Sequence, residues 1–390
     1  LEISVTLGSN TVYRNSQMSE ITPKSGMGNV EIIVCQKLHL NKMYKMEKAK
    51  ILALLLSFLL TSCYEKYTMD YEHTAAYVAY QYDLRTFVIG EGMKFNFTVA
   101  LGGVVKNTHD RSVQVVIDDA LLTDDLSGFS EKATAPFTAL DGLLGRAPFG
   151  NLSQSYVSKE VAAQNLEKLT PLPADCYTTS SMDNLFIPKG RHTTTVTIKA
   201  TDKILTKEEA LKPYYALAFK VTDADADILI SEKSFEIIAV KCEQRFWGNW
   251  YHGGETIVKN DITGEIVSRE SYPLTLPQDD DKIYTLTTIA ANAVESDKIG
   301  LGNGKLKLIF EDDDQIRIES ADGSKPIRPI TDKPSHFNGA KLLQDRKLYL
   351  NYQYSNGDGT TTYINDILVF RNRIRDGINE WQDENPEDYQ

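Results

Sequence analysis

The chain has 390 residues, 42 % of them apolar and 9 % aromatic, with 54 Asp/Glu against 42 Lys/Arg for a net charge of −12. The first 62 residues hold seven Lys/Arg and only four Asp/Glu, so the remainder is more acidic still. Such a balance argues against a nucleic-acid partner and against adsorption to anionic lipid, and suits neutral ligands such as glycans better than polyanions.

Residues 45–62 read as an export signal. Lys45-Met46-Glu47-Lys48-Ala49-Lys50 is basic, Ile51 to Leu60 is apolar apart from Ser57, and Thr61-Ser62-Cys63 follows with small residues at the cleavage site. Ten residues fall short of the ~20 that a membrane-spanning helix needs. Leu60-Thr61-Ser62-Cys63 resembles the bacterial lipobox, which implies acylation of the Cys63 thiol, Cys63 as the mature N-terminus, and anchoring by multiple acyl chains. Because a signal peptide starts a chain, residues 1–44, which show no sustained period of 2 or 3.6, are expected to be over-called upstream translation.

Residues 63–73 read as a tyrosine-rich linker. Across 74–240 short stretches rich in β-branched and aromatic residues alternate with turns: Ala76 to Tyr80, Arg85 to Ile89, Lys94 to Ala100, Val113 to Ile117, Thr194 to Ala200, Tyr214 to Val221 and Phe235 to Val240. This pattern predicts an immunoglobulin-like β-sandwich. An insertion at 124–170 contains an expected helix, Ser158 to Leu169, closed by Pro171 and Pro173. Cys176 and Cys242 allow either a disulfide or two buried thiols, and neither is a metal ligand candidate.

From 245 to 385 the predicted strands form an antiparallel meander. Trp247 to Val258, Glu265 to Leu274, Ile283 to Ala291, Lys305 to Phe310, Gln315 to Ser320, Lys325 to Ile330, Lys347 to Tyr354 and Thr361 to Phe370 give eight strands, with Asp322-Gly323 and Asn356-Gly357-Asp358-Gly359 as hairpin turns. Eight strands can close into a barrel or remain an open sandwich. Gly248-Asn249-Trp250 resembles the Gly-x-Trp that opens lipocalin-like barrels. The expected fold class is therefore all-β throughout.

The order of parts resembles the two-domain surface lipoproteins of Bacteroidetes glycan-utilisation loci. The resemblance rests on the lipobox, Ile187-Pro188-Lys189-Gly190 and Tyr215-Ala216-Leu217 in the sandwich, and Tyr349-Leu350-Asn351-Tyr352 with Arg371-Asn372-Arg373-Ile374-Arg375-Asp376-Gly377 near the end. It covers residues 63 to 385. In that family the sandwich module also stands at the front of family-18 endo-N-acetylglucosaminidases. The resemblance implies an outer-membrane, cell-surface lipoprotein anchored through Cys63 that binds an oligosaccharide for an adjacent outer-membrane transporter. It brings no ligand-contacting positions with it.

Catalytic motifs are weak. Asp223-Ala224-Asp225-Ala226-Asp227 lacks the glycine and glutamate of a calcium loop and the terminal acid of a family-18 glycosidase, so it reads as a solvated turn, as does Glu311-Asp312-Asp313-Asp314. The six histidines are scattered, with no nucleophile elbow or zinc motif, and the chain reads as a non-enzyme without cofactor or metal. Paired carboxylates on separate strands would leave no local signature.

Sugars stack C–H faces on aromatic rings while their hydroxyls bond to amides. Alternation puts Trp247, Asn249 and Tyr251 on one face and Phe246 and Trp250 on the core side, and does the same for Tyr349, Asn351 and Gln353 against Leu348, Leu350 and Tyr352. These six residues are the expected ligand face. The function expected from sequence is non-catalytic glycan binding. A structural adhesin or assembly subunit that binds another protein is the alternative, followed by a glycoside hydrolase.

Overall fold

Apolar residues at every second position bury one face of a strand, and the first eleven strands build two such faces against each other. The computed structural model describes residues 70–129, 152–276, 279 and 282–383. The expected export signal, Cys63 and residues 130–151 of the insertion lie outside the described residues. The strands are β1 (Ala75–Val78), β2 (Tyr82–Ile89), β3 (Lys94–Gly102), β4 (Arg111–Ile117), β5 (Thr170–Pro171), β6 (Tyr177–Thr179), β7 (Leu185–Ile187), β8 (Thr193–Ala200), β9 (Tyr215–Ala224), β10 (Ile228–Leu229) and β11 (Phe235–Gln244). One sheet runs β10-β1-β3-β8-β6 and the other β2-β11-β9-β4-β7, with β5 beside β9. Phe97 from the first sheet stacks on Phe219 from the second at 4.7 Å, within the core that also takes Val99, Ile198, Leu217 and Val240. Cys176 and Cys242 are free thiols in this core, and burial pushes the Cys242 thiol up to about 12.

Strands β9 and β11 are apolar on both faces, so the second sheet needs another layer outside it. Helix α1 (Leu152–Ala162) supplies part of it. Val157 and Val161 pack with Phe129 and Leu169 over Leu84, Ala216, Ala218, Ile237 and Ala239, whose small alanines permit close approach. The helix lies earlier than the expected Ser158 to Leu169. It ends because Gln164 N and Asn165 N bond back to Val161 O and Ala162 O, and Asn165 then takes the left-handed conformation at φ 51°.

The third sheet contains β12 (Gly248–Asn260), β13 (Ile266–Tyr272), β14 (Tyr284–Ala290), β15 (Ala293–Ser296), β16 (Leu306–Phe310), β17 (Ile316–Ser320), β18 (Arg328–Pro329), β19 (His336–Phe337), β20 (Lys347–Ser355), β21 (Thr360–Arg375) and β22 (Ile378–Glu380). Its main path is β17-β16-β15-β14-β12-β21-β20-β18. Because β19 pairs with β20 and His336 also bridges Gln315, the ends of the path nearly meet, and a barrel results. The expected Lys325 to Ile330 hairpin partner of β17 is absent. Pro326 and Pro329 lack N–H donors, and only Arg328–Pro329 remains a strand, paired with β20 instead. The interior is filled by Trp250, Tyr284, Leu286, Leu308, Leu348, Leu350, Tyr352 and Leu368. Trp250 is 0 % exposed, as alternation predicts. Its Nε1 donates to Phe246 O at 3.1 Å, and its ring meets Phe370 edge-on.

The residues from Asp70 onward form one unit, and a buried ion cluster holds sandwich to barrel. Glu91, in the turn between β2 and β3, accepts from Arg346 Nη1 at 2.7 Å on Oε1, and from Arg373 Nη1 and Nη2 at 2.9 and 2.7 Å. Burial alone would raise the Glu91 carboxyl, but Arg373 and Arg346 hold it below its usual range. Lys241 makes a second link, 3.0 Å from Tyr156 Oη of α1 and 3.1 Å from both Glu160 and Glu243. Glu243 in turn accepts from Thr288 of β14.

Candidate functional site

The outward face of β12, β21 and β20 forms the wall of the barrel. Register rows run Tyr251, Val369, Lys347 and then Gly253, Ile367, Tyr349. Tyr349 is half-buried and stacks on His336 of β19 with ring centroids 4.7 Å apart and planes inclined by 15°. Beside this pair Ile367 is 37 % exposed. A Cβ on Gly253 would meet Leu274 N at 2.7 Å, so glycine there lets Leu274 lie against the wall. One end of the wall is polar: Lys333 Nζ donates to Asn365 Oδ1 at 2.9 Å, and Asn365 Nδ2 donates to Glu255 Oε1 at 3.4 Å. At the other end the Arg371 guanidinium lies 5.8 Å from the Tyr251 ring centre. An apolar and aromatic strip with hydrogen-bonding groups at both ends can hold a sugar ring by stacking and orient it through its hydroxyls.

Of the six residues expected to form the ligand face, Tyr251 and Tyr349 lie on this wall and two others depart from expectation. Trp247 is 8 % exposed. It precedes β12, outside the alternating strand, and its ring lies under the Arg373 guanidinium at 4.2 Å, which makes it part of the joint and not of an open face. Asn351 faces outward but is 5 % exposed, because the segment leading into β19 covers it. Its Nδ2 donates to Pro334 O, and its backbone exchanges bonds with the Ser335 hydroxyl. Gln353 is half-buried and donates to Pro329 O at 3.0 Å. Asn249 belongs to an amide ladder, accepting from Thr285 Oγ1 and donating to Asn372 Oδ1.

The sequence pattern missed His336, Ile367, Asn365 and Lys333 on the wall. Ile367 and Asn365 were legible from β21 alternation, since Ile364, Leu368 and Phe370 form the opposite, core-facing row. His336 and Lys333 come from an edge segment whose pairing no local pattern reveals.

A second cluster, also unforeseen, lies inside the barrel. Asp366 Oδ1 is 2.9 Å from His252 Nε2 and accepts from Tyr272 Oη at 2.7 Å, while Oδ2 accepts from Tyr352 Oη at 3.2 Å. Tyr284 donates to Gly300 O, and Gly300 N donates to Tyr352 Oη. Burial pushes all three phenols up, and the Asp366 carboxyl adds to it. The His252 and Asp366 side chains are sealed from solvent, so this arrangement ties β12, β13, β14, β20 and β21 together through buried polar groups. Asp227, from the aspartate-rich turn, bonds to Thr74 N and Oγ1 at 2.7 and 2.8 Å and fastens β1 to β10, a structural role. No group of three or more His, Cys, Asp or Glu among the described residues is arranged to hold a metal ion.

No family profile matches the chain, and no curated protein does. Among solved structures, a protein of unknown function from Bacteroides ovatus superposes with a TM-score of 0.52 at 18 % identity, over 81 % of this chain and 99 % of that one. A multidomain protein including DUF1735 from the same organism covers 80 % of this chain and 100 % of its own at TM-score 0.33 and 11 % identity. An auxiliary nutrient binding protein from Bacteroides thetaiotaomicron covers 73 % and 85 % at TM-score 0.31 and 11 % identity. Those two scores carry no argument about this chain; the first likeness shows a shared fold alone, an all-β chain of sandwich and barrel.

Proposed function

We propose that this chain is a non-catalytic glycan-binding protein whose site is the outer wall of the barrel. The observation that carries the reading is the half-buried Tyr349–His336 stack beside exposed Ile367, edged by Asn365, Glu255 and Lys333. The filled interior supports it further, because a lipocalin-type calyx has no room among Trp250, Tyr284 and Tyr352. On this reading the export signal directs secretion and is removed, and acyl chains on Cys63 anchor the protein to the outer membrane, at the cell surface, where it passes an oligosaccharide to an adjacent transporter. Tyr349→Ala should lower affinity on a neutral-glycan array about tenfold without moving the melting temperature. Unchanged binding by this variant refutes the wall as the site.

A different feature favours the rival reading of protein docking. The β12–β13 hairpin carries exposed Ile262, Ile266 and Val267, and among the described residues β13 pairs only with β12. Such an edge can accept an added strand. Pull-down of a protein partner that is lost in Val267→Lys, together with a blank glycan array, would favour this reading.

A further inference from the structure

Trp381 is 58 % exposed, and the chain has two other tryptophans, Trp247 and Trp250, both buried. Its backbone is held on both sides. Before it, Glu380 accepts from Arg373 Nε at 2.6 Å and lies 3.8 Å from Arg375 Nη1. After it, Asp383 Oδ2 accepts from Leu343 N at 2.6 Å, and Asp383 N donates to Gln344 Oε1. A large indole is thus presented to water by a segment fixed to the joint, which limits the ordering cost of binding.

Amides lie close to it in the chain. In the β21–β22 pair Ile374 lies opposite Asn379, so Asn372, Ile374 and Asn379 share one face, and Trp381 follows two residues after Asn379, in the bend just past the end of β22. Thr285, Asn249, Asn372 and Asn379 form a hydrogen-bonded ladder across β14, β12, β21 and β22: Thr285 Oγ1 donates to Asn249 Oδ1 at 3.2 Å, Asn249 Nδ2 to Asn372 Oδ1 at 3.3 Å, and Asn372 Nδ2 to Asn379 Oδ1 at 2.6 Å. The ladder does not use the Asn379 Nδ2. Asn249 shares its face of β12 with Tyr251, so the ladder continues the wall.

We infer that Trp381, with Asn372 and Asn379, is a second sugar subsite, and that the ligand is an extended neutral oligosaccharide laid along the wall. The inference rests on the wall being a sugar site. A register irregularity lies at Asn249/Trp250, so Asn372 keeps the outward face of Ile367, and their β12 partners Asn249 and Gly253 are four residues apart, ~13 Å at ~3.3 Å per residue, a span longer than a disaccharide.

Trp381 is the accessible indole, so acrylamide quenching of intrinsic fluorescence reports on it directly. The probes are neutral hexasaccharides of α-1,4-glucose, β-1,4-glucose, β-1,4-mannose and β-1,4-N-acetylglucosamine, with the matching disaccharides, titrated by calorimetry. A hexasaccharide that binds should shield Trp381 from acrylamide. Trp381→Ala should lower its affinity about tenfold, leave disaccharide affinity unchanged, and melt as the wild type does. A hexasaccharide that loses affinity in Tyr349→Ala, yet leaves Trp381 quenching and Trp381→Ala affinity untouched, overturns the second subsite while the wall site stands. Failure of every hexasaccharide to bind overturns both.

Discussion

Replacing Glu91 by glutamine tests the joint between sandwich and barrel. The variant keeps the shape of the side chain but removes the charge that neutralises two buried guanidiniums, and an amide nitrogen cannot accept the hydrogen bond that one carboxylate oxygen now takes. Three charge-assisted bonds are affected, those from Arg346 Nη1 and from Arg373 Nη1 and Nη2. Arg373 retains Glu380 at 2.6 Å, while Arg346 keeps backbone acceptors at Arg245 and Lys341. Removing one partner from a buried ion pair costs ~3–5 kcal/mol, chiefly because the other charge is left uncompensated. Urea unfolding followed by circular dichroism should show a loss of that size, and the sandwich and barrel should begin to unfold in separate steps. Combining Glu91→Gln with Arg346→Met, which removes one surplus charge, should recover part of the loss. A single cooperative transition within about 1 kcal/mol of wild type would refute the assignment of the cluster as the link.

A buried acid pair in the sandwich has the opposite sign. Burial raises Asp83 and raises Glu236 further, with Glu236 donating to Asp83; the folded state therefore binds more protons than the unfolded one, and stability falls as pH rises from the ordinary carboxylate range through the raised values. Glu236→Gln should flatten that decline and raise the melting temperature at pH 8 relative to wild type while changing little at pH 4, and an unaltered pH profile would count against the pair. At the barrel base Trp250→Ala should cost ~3–5 kcal/mol through the cavity it leaves, and Trp247→Ala about 2 kcal/mol or more from the lost stack under Arg373; a fully stable Trp247→Ala protein would contradict its place in the joint. Cys63→Ala should leave the exported protein unacylated, which metabolic labelling with a fatty acid checks, and labelling that persists would move the anchor elsewhere.

Strand alternation made Trp250, Leu348, Leu350 and Tyr352 legible as core and Tyr251 and Tyr349 as outward, because each lies in a strand segment whose buried and partly exposed side chains alternate. Trp247 was not legible. A turn precedes β12, so parity gives no direction there, and its burial depends on Arg373 and, behind it, on Glu91, 282 residues from Arg373 in sequence. Asn351 obeyed parity and was still covered, since the chain leading into β19 returns to the free edge of β20. The Asp366 cluster draws His252, Tyr272, Tyr284 and Tyr352 from four strands besides its own, and no local window contains such a set.

The Glu91 cluster also restricts how this architecture can be recombined. Its acid belongs to a loop of the sandwich and its two arginines to the barrel, so cutting the chain at Arg245 and grafting the barrel onto a foreign sandwich transplants two cations without their counterion. A chimera lacking an acid at the equivalent turn would carry that unmet charge in its new seam. Exchange between homologues would succeed only where all three residues travel together, and their substitutions should be correlated wherever the two halves share ancestry.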